Sequence, residues 1–240
     1  MEARSKEKNL GILLFMNQWA ISDIHGCAKT FKALLQKIQL SRKDELYLLG
    51  DYIDRGPDSK GVIDHIWQLQ EQGFTVRCLR GNHEQLALDA LTDKSDRQLW
   101  MINGGVETLL SFGVSRVGEL PTAYLDFMNN LAHFFETGEY ILVHAGLNFD
   151  MPDPLQGLHS MLWIRRWYQD INREWLNGRI VVHGHTPQKK HEVELQFKKL
   201  AQQQVLDIDC GCVFEMKAMG HLCALNLTKR ELVFQPNADR

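Results

Sequence analysis

Six polar residues of this 240-residue chain stand in short motifs that metal ions could gather. They are Asp23 and His25 in Asp23-Ile24-His25-Gly26, Asp51 in Gly50-Asp51-Tyr52-Ile53-Asp54-Arg55-Gly56, Asn82 in Gly81-Asn82-His83-Glu84, His144 in His144-Ala145-Gly146, and His185 in Gly184-His185-Thr186. Two carboxylates, three imidazoles and an amide form an N/O donor set without thiolate. Such a set suits divalent manganese, iron or zinc in an open site rather than a structural zinc finger. It is too large for one ion that must also hold substrate. With Asp51 as a shared bridge, the set divides into Asp23 and His25 on one side and Asn82, His144 and His185 on the other. Two ions about 3.5–4 Å apart acidify a bridging water and clamp the oxygens of an in-line displacement. Water on a metal can have a pKa around 7, so hydroxide becomes available at neutral pH.

The central heptapeptide adds an anion-facing group. Asp51, Asp54 and Arg55 crowd one turn between glycines, which packs little and sets like charges together. The arrangement makes sense if a cation neutralises Asp51 while Arg55 grips a phosphate. Taken alone, the same residues with Pro57 also read as an ordinary surface turn.

Strands must carry these clusters. Residues 17–22, the apolar run 46–49 and residues 75–79 read as strands, each ending in one of the motifs. Between them lie two amphipathic helices, one with Phe31, Leu34, Leu35 and Ile38 on a core-facing stripe, the other with Val62, Ile63, Ile66 and Leu69. Asp58 or Ser59 caps the second, and Gly73 closes it. Alternation of strand and helix implies a parallel sheet, so all three clusters leave at one edge, where open α/β sheets bind ligands. Gly26 permits the tight backbone that lets Asp23 and His25 turn toward one ion.

Further helices are expected at 84–91, at 97–110 with a break at Gly104-Gly105, and at 122–131. Later strands are expected at 140–143, 179–182, 205–208, 222–227 and 232–234, in a mixed or antiparallel arrangement. Residues 1–15 read as a flexible arm and 16–240 as one domain, with Met16 a second candidate start.

Composition narrows the function classes. Lys plus Arg of 27 against Asp plus Glu of 30 leaves a net charge of −3, which speaks against nucleic-acid binding and polybasic membrane attachment. The five cysteines are odd in number and form no CxxC pair, so neither a disulfide framework nor a thiolate zinc site is expected. The apolar run 10–15 is too short to span a bilayer. The chain is read as soluble and cytoplasmic, acting as a monomer.

Taken in order, Asp-x-His-Gly, Gly-Asp-x-x-Asp-Arg-Gly, Gly-Asn-His-Glu, His-Ala-Gly and Gly-His-Thr resemble the phosphoprotein phosphatase family of calcineurin-like metallophosphoesterases. The resemblance runs from Asp23 to about Val213. It implies a four-layer α/β/β/α sandwich with a dinuclear metal site, manganese- or iron-type, at strand C-terminal ends. It places the six residues above at the family's ligand positions. It also implies that His83 is the general acid, oriented by Asp54, which raises its pKa, and that Arg55 and a second arginine hold phosphoryl oxygens. Arg165 in Leu162-Trp163-Ile164-Arg165-Arg166-Trp167 is the expected second arginine, with Arg166 as alternative. The implied activity is that of a bacterial-type serine/threonine protein phosphatase acting on phosphorylated protein or peptide. The symmetrical diadenosine tetraphosphate hydrolases of the same superfamily typically lack the acid-orienting Asp and carry Asp after the Asn-His pair. This chain has Asp54 and Glu84. A broader phosphodiesterase remains an alternative. A silent phosphoprotein-binding scaffold should have lost one of these residues, and none is missing.

His183 reads as a supporting or packing residue beside His185, and His65, His133, His159, His191 and His221 as ordinary histidines. Cys210 replaces the family's usual Thr, without a catalytic role, and Trp163, Trp167 and Trp175 read equally as groove or core.

Overall fold

The computed structural model describes residues 16–240, so the expected arm at 1–15 lies outside the described residues. Strands β1 (Gln18–Ile21), β2 (Glu45–Leu48) and β3 (Thr75–Cys78) alternate with helices α1 (Ala28–Lys37) and α2 (Ser59–Glu71). Four helices follow: α3 (Asn82–Asp89), α4 (Lys94–Trp100), α5 (Val106–Phe112) and α6 (Thr122–Asn129). The second half runs β4 (Phe134–Thr137), β5 (Tyr140–Val143), α7 (Leu158–Trp163), α8 (Arg173–Leu176), β6 (Ile180–His183), α9 (Lys190–Lys198), α10 (Leu200–Gln203), β7 (Val205–Asp207), β8 (His221–Asn226) and β9 (Glu231–Pro236).

The strands form a five-stranded sheet of order β3-β2-β1-β8-β9 and a four-stranded sheet of order β4-β5-β6-β7. β1, β2 and β3 are parallel, as the alternation implied, while β8 and β9 extend their sheet antiparallel. In the second sheet β5, β6 and β7 are parallel and only β4 runs against its neighbour. The expected mixed set is therefore shared between two sheets.

Side-chain parity along the strands builds the layers. Trp19, Ile21, Leu46 and Leu48 face a core filled by Phe31, Leu34, Ile63, Ile66 and Trp100 from the helices. The residues between them, Ala20 and Tyr47, face the other way and meet Tyr140, Leu142, Val182 and Leu206 of the second sheet. That sheet turns Ile141, Val143 and Val181 outward against Met161, Trp167 and Leu176. Three apolar interfaces separate four layers, which is the α/β/β/α sandwich. Each fully buried Leu, Ile or Phe contributes about 1.5–3 kcal/mol through removal from water.

Local signals set the helices. Asp58, rather than Ser59, caps α2 through its carboxylate and the Gly61 N–H at 2.8 Å. Between α4 and α5 the chain makes a π-type turn, Met101–Gly105, in which Gly104 takes φ of +110°. The expected break at Gly104-Gly105 is this turn.

Candidate active site

Every motif leaves the C-terminal end of a strand. Asp23 and His25 follow β1, Asp51 follows β2, Asn82 and His83 follow β3, His144 follows β5 and His185 follows β6. The two sheets converge there. Across their gap the His185 N–H donates to the Asp23 carboxylate at 3.0 and 3.2 Å, and His144 Nδ1 meets the Leu49 carbonyl at 2.8 Å. Turning side chains back over the strand ends requires left-handed backbone at Asp23, His25, Asp51, Asp54, Arg55 and His185, with φ from 45° to 73°. Non-glycine residues rarely adopt this region, and such strain concentrates where geometry serves function. Gly50 allows a still closer approach: a Cβ there would lie 2.6 Å from Gly81 Cα.

The structure brings all six donors together and buries them. Asp51 divides its oxygens between two sides: Oδ2 lies 3.5 Å from His25 Nε2, and Oδ1 lies 3.4 Å from His144 Nε2. Asn82 Oδ1 sits 3.0 Å from His144 Nε2 and 2.8 Å from His185 Nδ1. Asp23 Oδ1 lies 4.0 Å from His25 Nε2.

Hydrogen-bond chemistry tests whether this pocket fits metal. His25 Nδ1 meets the Ile53 carbonyl at 2.9 Å and His144 Nδ1 meets Leu49, so each Nδ1 must carry the proton, because a carbonyl only accepts. Each Nε2 therefore turns a lone pair toward Asp51; His144 Nε2 also faces Asn82 Oδ1, acceptor against acceptor, whereas His25 Nε2 accepts from Arg55 Nη1 at 2.8 Å. Among the described residues His185 Nε2 is buried with no hydrogen-bond partner. Burial, together with the charges of Asp23 and Glu84, holds the Asp51 carboxyl well above the usual carboxylate range. Lone pairs crowded onto a bridging carboxylate, with imidazoles fixed from behind by carbonyls, are the arrangement that cations relieve. His25, Asp51 and His83 form one compact triad, and Asp51, His144 and His185 another.

The pattern of calcineurin-like phosphoesterases matches residues 16–219. The chain belongs to that family. Serine/threonine-protein phosphatase 1 of Salmonella typhimurium is 44% identical over 91 residues, 36% of this chain and 38% of that protein. A symmetrical bis(5'-nucleosyl)-tetraphosphatase of Wigglesworthia glossinidia brevipalpis is 41% identical over 146 residues, 58% of this chain and 48% of its own length. The chain thus covers less than half of either curated relative. Among solved structures, a Saccharomyces cerevisiae protein serine/threonine phosphatase with similarity to human phosphatase PP5 aligns over 94% of this chain and 81% of its own, with a TM-score of 0.66 at 14% identity. A metallophosphoesterase from Sphaerobacter thermophilus covers 94% and 90%, with a TM-score of 0.55 at 15% identity. The resemblance expected from the motifs holds, and the family is one of metal-dependent phosphoester hydrolases.

Beside the donors of this family member, His83 Nδ1 meets Asp54 Oδ2 at 2.7 Å, and His83 Nε2 lies 3.9 Å from Asp51 Oδ2. Asp54 is itself fixed by Trp100 Nε1 at 3.0 Å and by Thr108 Oγ1 at 2.6 Å. Burial pushes Asp54 up to about 8 and holds His83 well below its usual range, with Arg55 and His144 acting in the same direction on His83. Burial, not the expected upward push of Asp54, sets the direction of the His83 shift.

Arg55 Nη1 lies 2.8 Å from His25 Nε2, one hydrogen bond from the donor cluster. Arg165 reaches Thr186 Oγ1, next to His185, at 3.1 Å. Trp163 stands beside His185, ring centroids 6.5 Å apart, whereas Trp167 is core and Trp175 packs on Phe149. His183 is buried against the Tyr168 hydroxyl at 2.7 Å, in keeping with a supporting role.

Sequence reasoning did not single out Trp100, Thr108 or the structural use of Glu84. The Glu84 carboxylate accepts backbone N–H groups of Asp51, Tyr52 and Gly81 at 2.9, 2.8 and 2.9 Å, tying two motif turns together. Burial nevertheless pushes it up to about 7. Among the described residues no helix is long and apolar enough to cross a membrane.

Proposed function

We propose that this phosphoesterase is a phosphomonoesterase of the serine/threonine protein phosphatase type, working with two divalent ions, manganese first and iron or zinc as alternatives. Asp23, His25 and Asp51 would hold one ion, and Asp51, Asn82, His144 and His185 the other. When bound, the ions supply Lewis acidity and a water deprotonated near neutral pH.

The chain's own residues supply the rest. Arg55 and Arg165 bind the phosphoryl oxygens, each presenting a charged donor fork. Arg55 must leave His25 to do so, because one imidazole lone pair cannot serve both the guanidinium and an ion. His83 gives its Nε2 proton to the departing alkoxide, while its Nδ1, fixed by Asp54, takes up the proton that burial keeps on that carboxyl.

The observation that carries the reading is the 2.7 Å contact between Asp54 and His83, held by Trp100 and Thr108 inside the core. A serine or threonine alkoxide is a poor leaving group that needs such an acid. The symmetrical tetraphosphatases among the relatives favour the second reading, dinucleotide hydrolysis. The test is hydrolysis of a phosphoserine peptide and of diadenosine tetraphosphate side by side, by metal-stripped protein and with added manganese. Manganese-dependent phosphate release favouring the peptide supports the proposal; preference for the dinucleotide, yielding ADP, overturns it.

A further inference from the structure

The helical run that orients Asp54 also bears an apolar row on its outer side. Leu99, Ile102, Val106 and Leu110 recur along α4, the π-type turn and α5, and they are 48%, 84%, 40% and 73% exposed. Large apolar side chains left in water in one row mark an interaction surface.

The middle of this row opens into a cavity of about 520 Å³ lined by Arg55, Met101, Ile102, Val106, Glu107 and Phe214. Arg55 lines this cavity and also borders the donor cluster. Its Nη1 reaches His25 at 2.8 Å, and its guanidinium carbon lies 5.5 Å from the centroid of the Phe214 ring. Among the described residues that line the cavity, Glu107 is the only ionisable side chain besides Arg55. An adjoining cavity of about 300 Å³ shares Arg55 and Glu107 and adds Glu215, Asp239 and Arg240.

We propose that the larger cavity receives the polypeptide flanking a phosphorylated residue, with an apolar neighbouring side chain seated between Ile102, Val106 and Phe214. This rests on the protein phosphatase reading. Charge selects the occupant: a dinucleoside polyphosphate continues past its scissile bond as further phosphate, bringing anionic charge onto an apolar wall beside Glu107. A peptide brings a neutral backbone and one side chain. The exposed row then offers further apolar contact along an extended segment.

The test uses phosphoserine peptides that differ only in alanine or leucine beside the phosphoserine, on each side in turn, with diadenosine tetraphosphate in parallel. Wild-type protein is compared with Ile102→Glu and Val106→Glu, both at exposed positions where folding is not threatened. Leucine on one side is expected to raise kcat/KM about 10-fold or more over alanine, the scale on which apolar pockets discriminate. In each variant the leucine-to-alanine ratio should fall toward one. Peptides hydrolysed with no leucine preference, or a preference that survives both substitutions, overturn the cavity assignment and leave the phosphatase reading standing. Hydrolysis of the dinucleotide but of no peptide overturns that reading and the cavity assignment with it.

Discussion

Replacing His83 with Asn removes a ring that is 1% exposed and touches Asp54 through Nδ1 at 2.7 Å. Asp54 keeps Trp100 Nε1 at 3.0 Å and Thr108 Oγ1 at 2.6 Å, so it is not left bare. The stability cost should lie toward the lower end of the roughly 1–3 kcal/mol for a buried group losing a partner. Against a typical 5–15 kcal/mol of total stability the fold survives. The kinetic cost is larger. General acid catalysis contributes about 10²–10⁴-fold, which is about 2.7–5.4 kcal/mol of barrier at 1.36 kcal/mol per decade. That loss must depend on the leaving group. A phosphoserine peptide releases an alkoxide that needs the proton, whereas p-nitrophenyl phosphate releases a phenolate that leaves without one. His83→Asn should therefore lower kcat by two to four decades on the peptide and by much less on p-nitrophenyl phosphate. Manganese content by mass spectrometry should be unchanged. Equal losses on both substrates would refute the acid role. Loss of metal would instead make His83 a ligand, as its place in a triad with His25 and Asp51 allows.

Asp51→Asn should reduce manganese content as well as activity, since both oxygens face imidazole nitrogens at 3.4 and 3.5 Å; a full pair of ions by metal analysis would remove the bridging role. His183 is buried neutral, with its pKa lowered from 6.5 to about 4 by desolvation. The unfolded chain takes up that proton first as pH falls, so stability present above pH 6.5 is lost down to about pH 4, by roughly 3 kcal/mol. His183→Gln should flatten that part of the denaturant midpoint–pH curve relative to wild type, and an identical slope would contradict the assignment. Gly104→Ala places a Cβ 2.6 Å from the Arg55 nitrogen on a backbone with φ of +110°, costing about 1–3 kcal/mol. It should lower kcat for phosphoester substrates as Arg55 shifts relative to His83, and an unchanged kcat would show that Arg55 does not set the phosphate position.

The strands that carry the motifs were legible because each ends an apolar run with abrupt polarity: Leu48 and Leu49 are fully buried, and Asp51 follows two residues later. Side-chain periodicity likewise gave α1 and α2. Strand β4 was not read, although Gly138 at the first position of a two-residue loop before Tyr140 is a hairpin signal. Trp100 and Thr108 lay beyond reach for a different reason. They meet Asp54 from 46 and 54 residues away, and nothing in a tryptophan's local pattern separates an aspartate's partner from core filling. The His83 shift was misread because residue type reveals a neighbouring carboxylate, whereas the depth of burial depends on the packed tertiary structure.

The two arginines proposed for phosphate differ in how firmly the fold holds them, and that difference assigns them separate tasks. The Arg55 N–H donates to the Gly104 carbonyl at 3.2 Å, on a left-handed turn pinned between glycines, while the neighbouring Asp54 is fixed by Trp100 and Thr108. The π-type turn at Met101–Gly105 and the helices on either side of it therefore hold Arg55 and the Asp54–His83 pair, the proposed phosphate and acid groups, as one unit. Arg165 follows α7 on an exposed loop and is anchored at its tip by Thr186 at 3.1 Å. Ordering it on substrate costs side-chain entropy that Arg55 has in large part already lost on folding. Arg55 should thus define where phosphorus sits relative to His83, so that Arg55→Lys lowers kcat, whereas Arg165→Lys should act mainly on KM by weakening an adaptable contact. Equal kcat losses in the two variants would mean that the loop after α7 is as preorganised as the turn at Asp54.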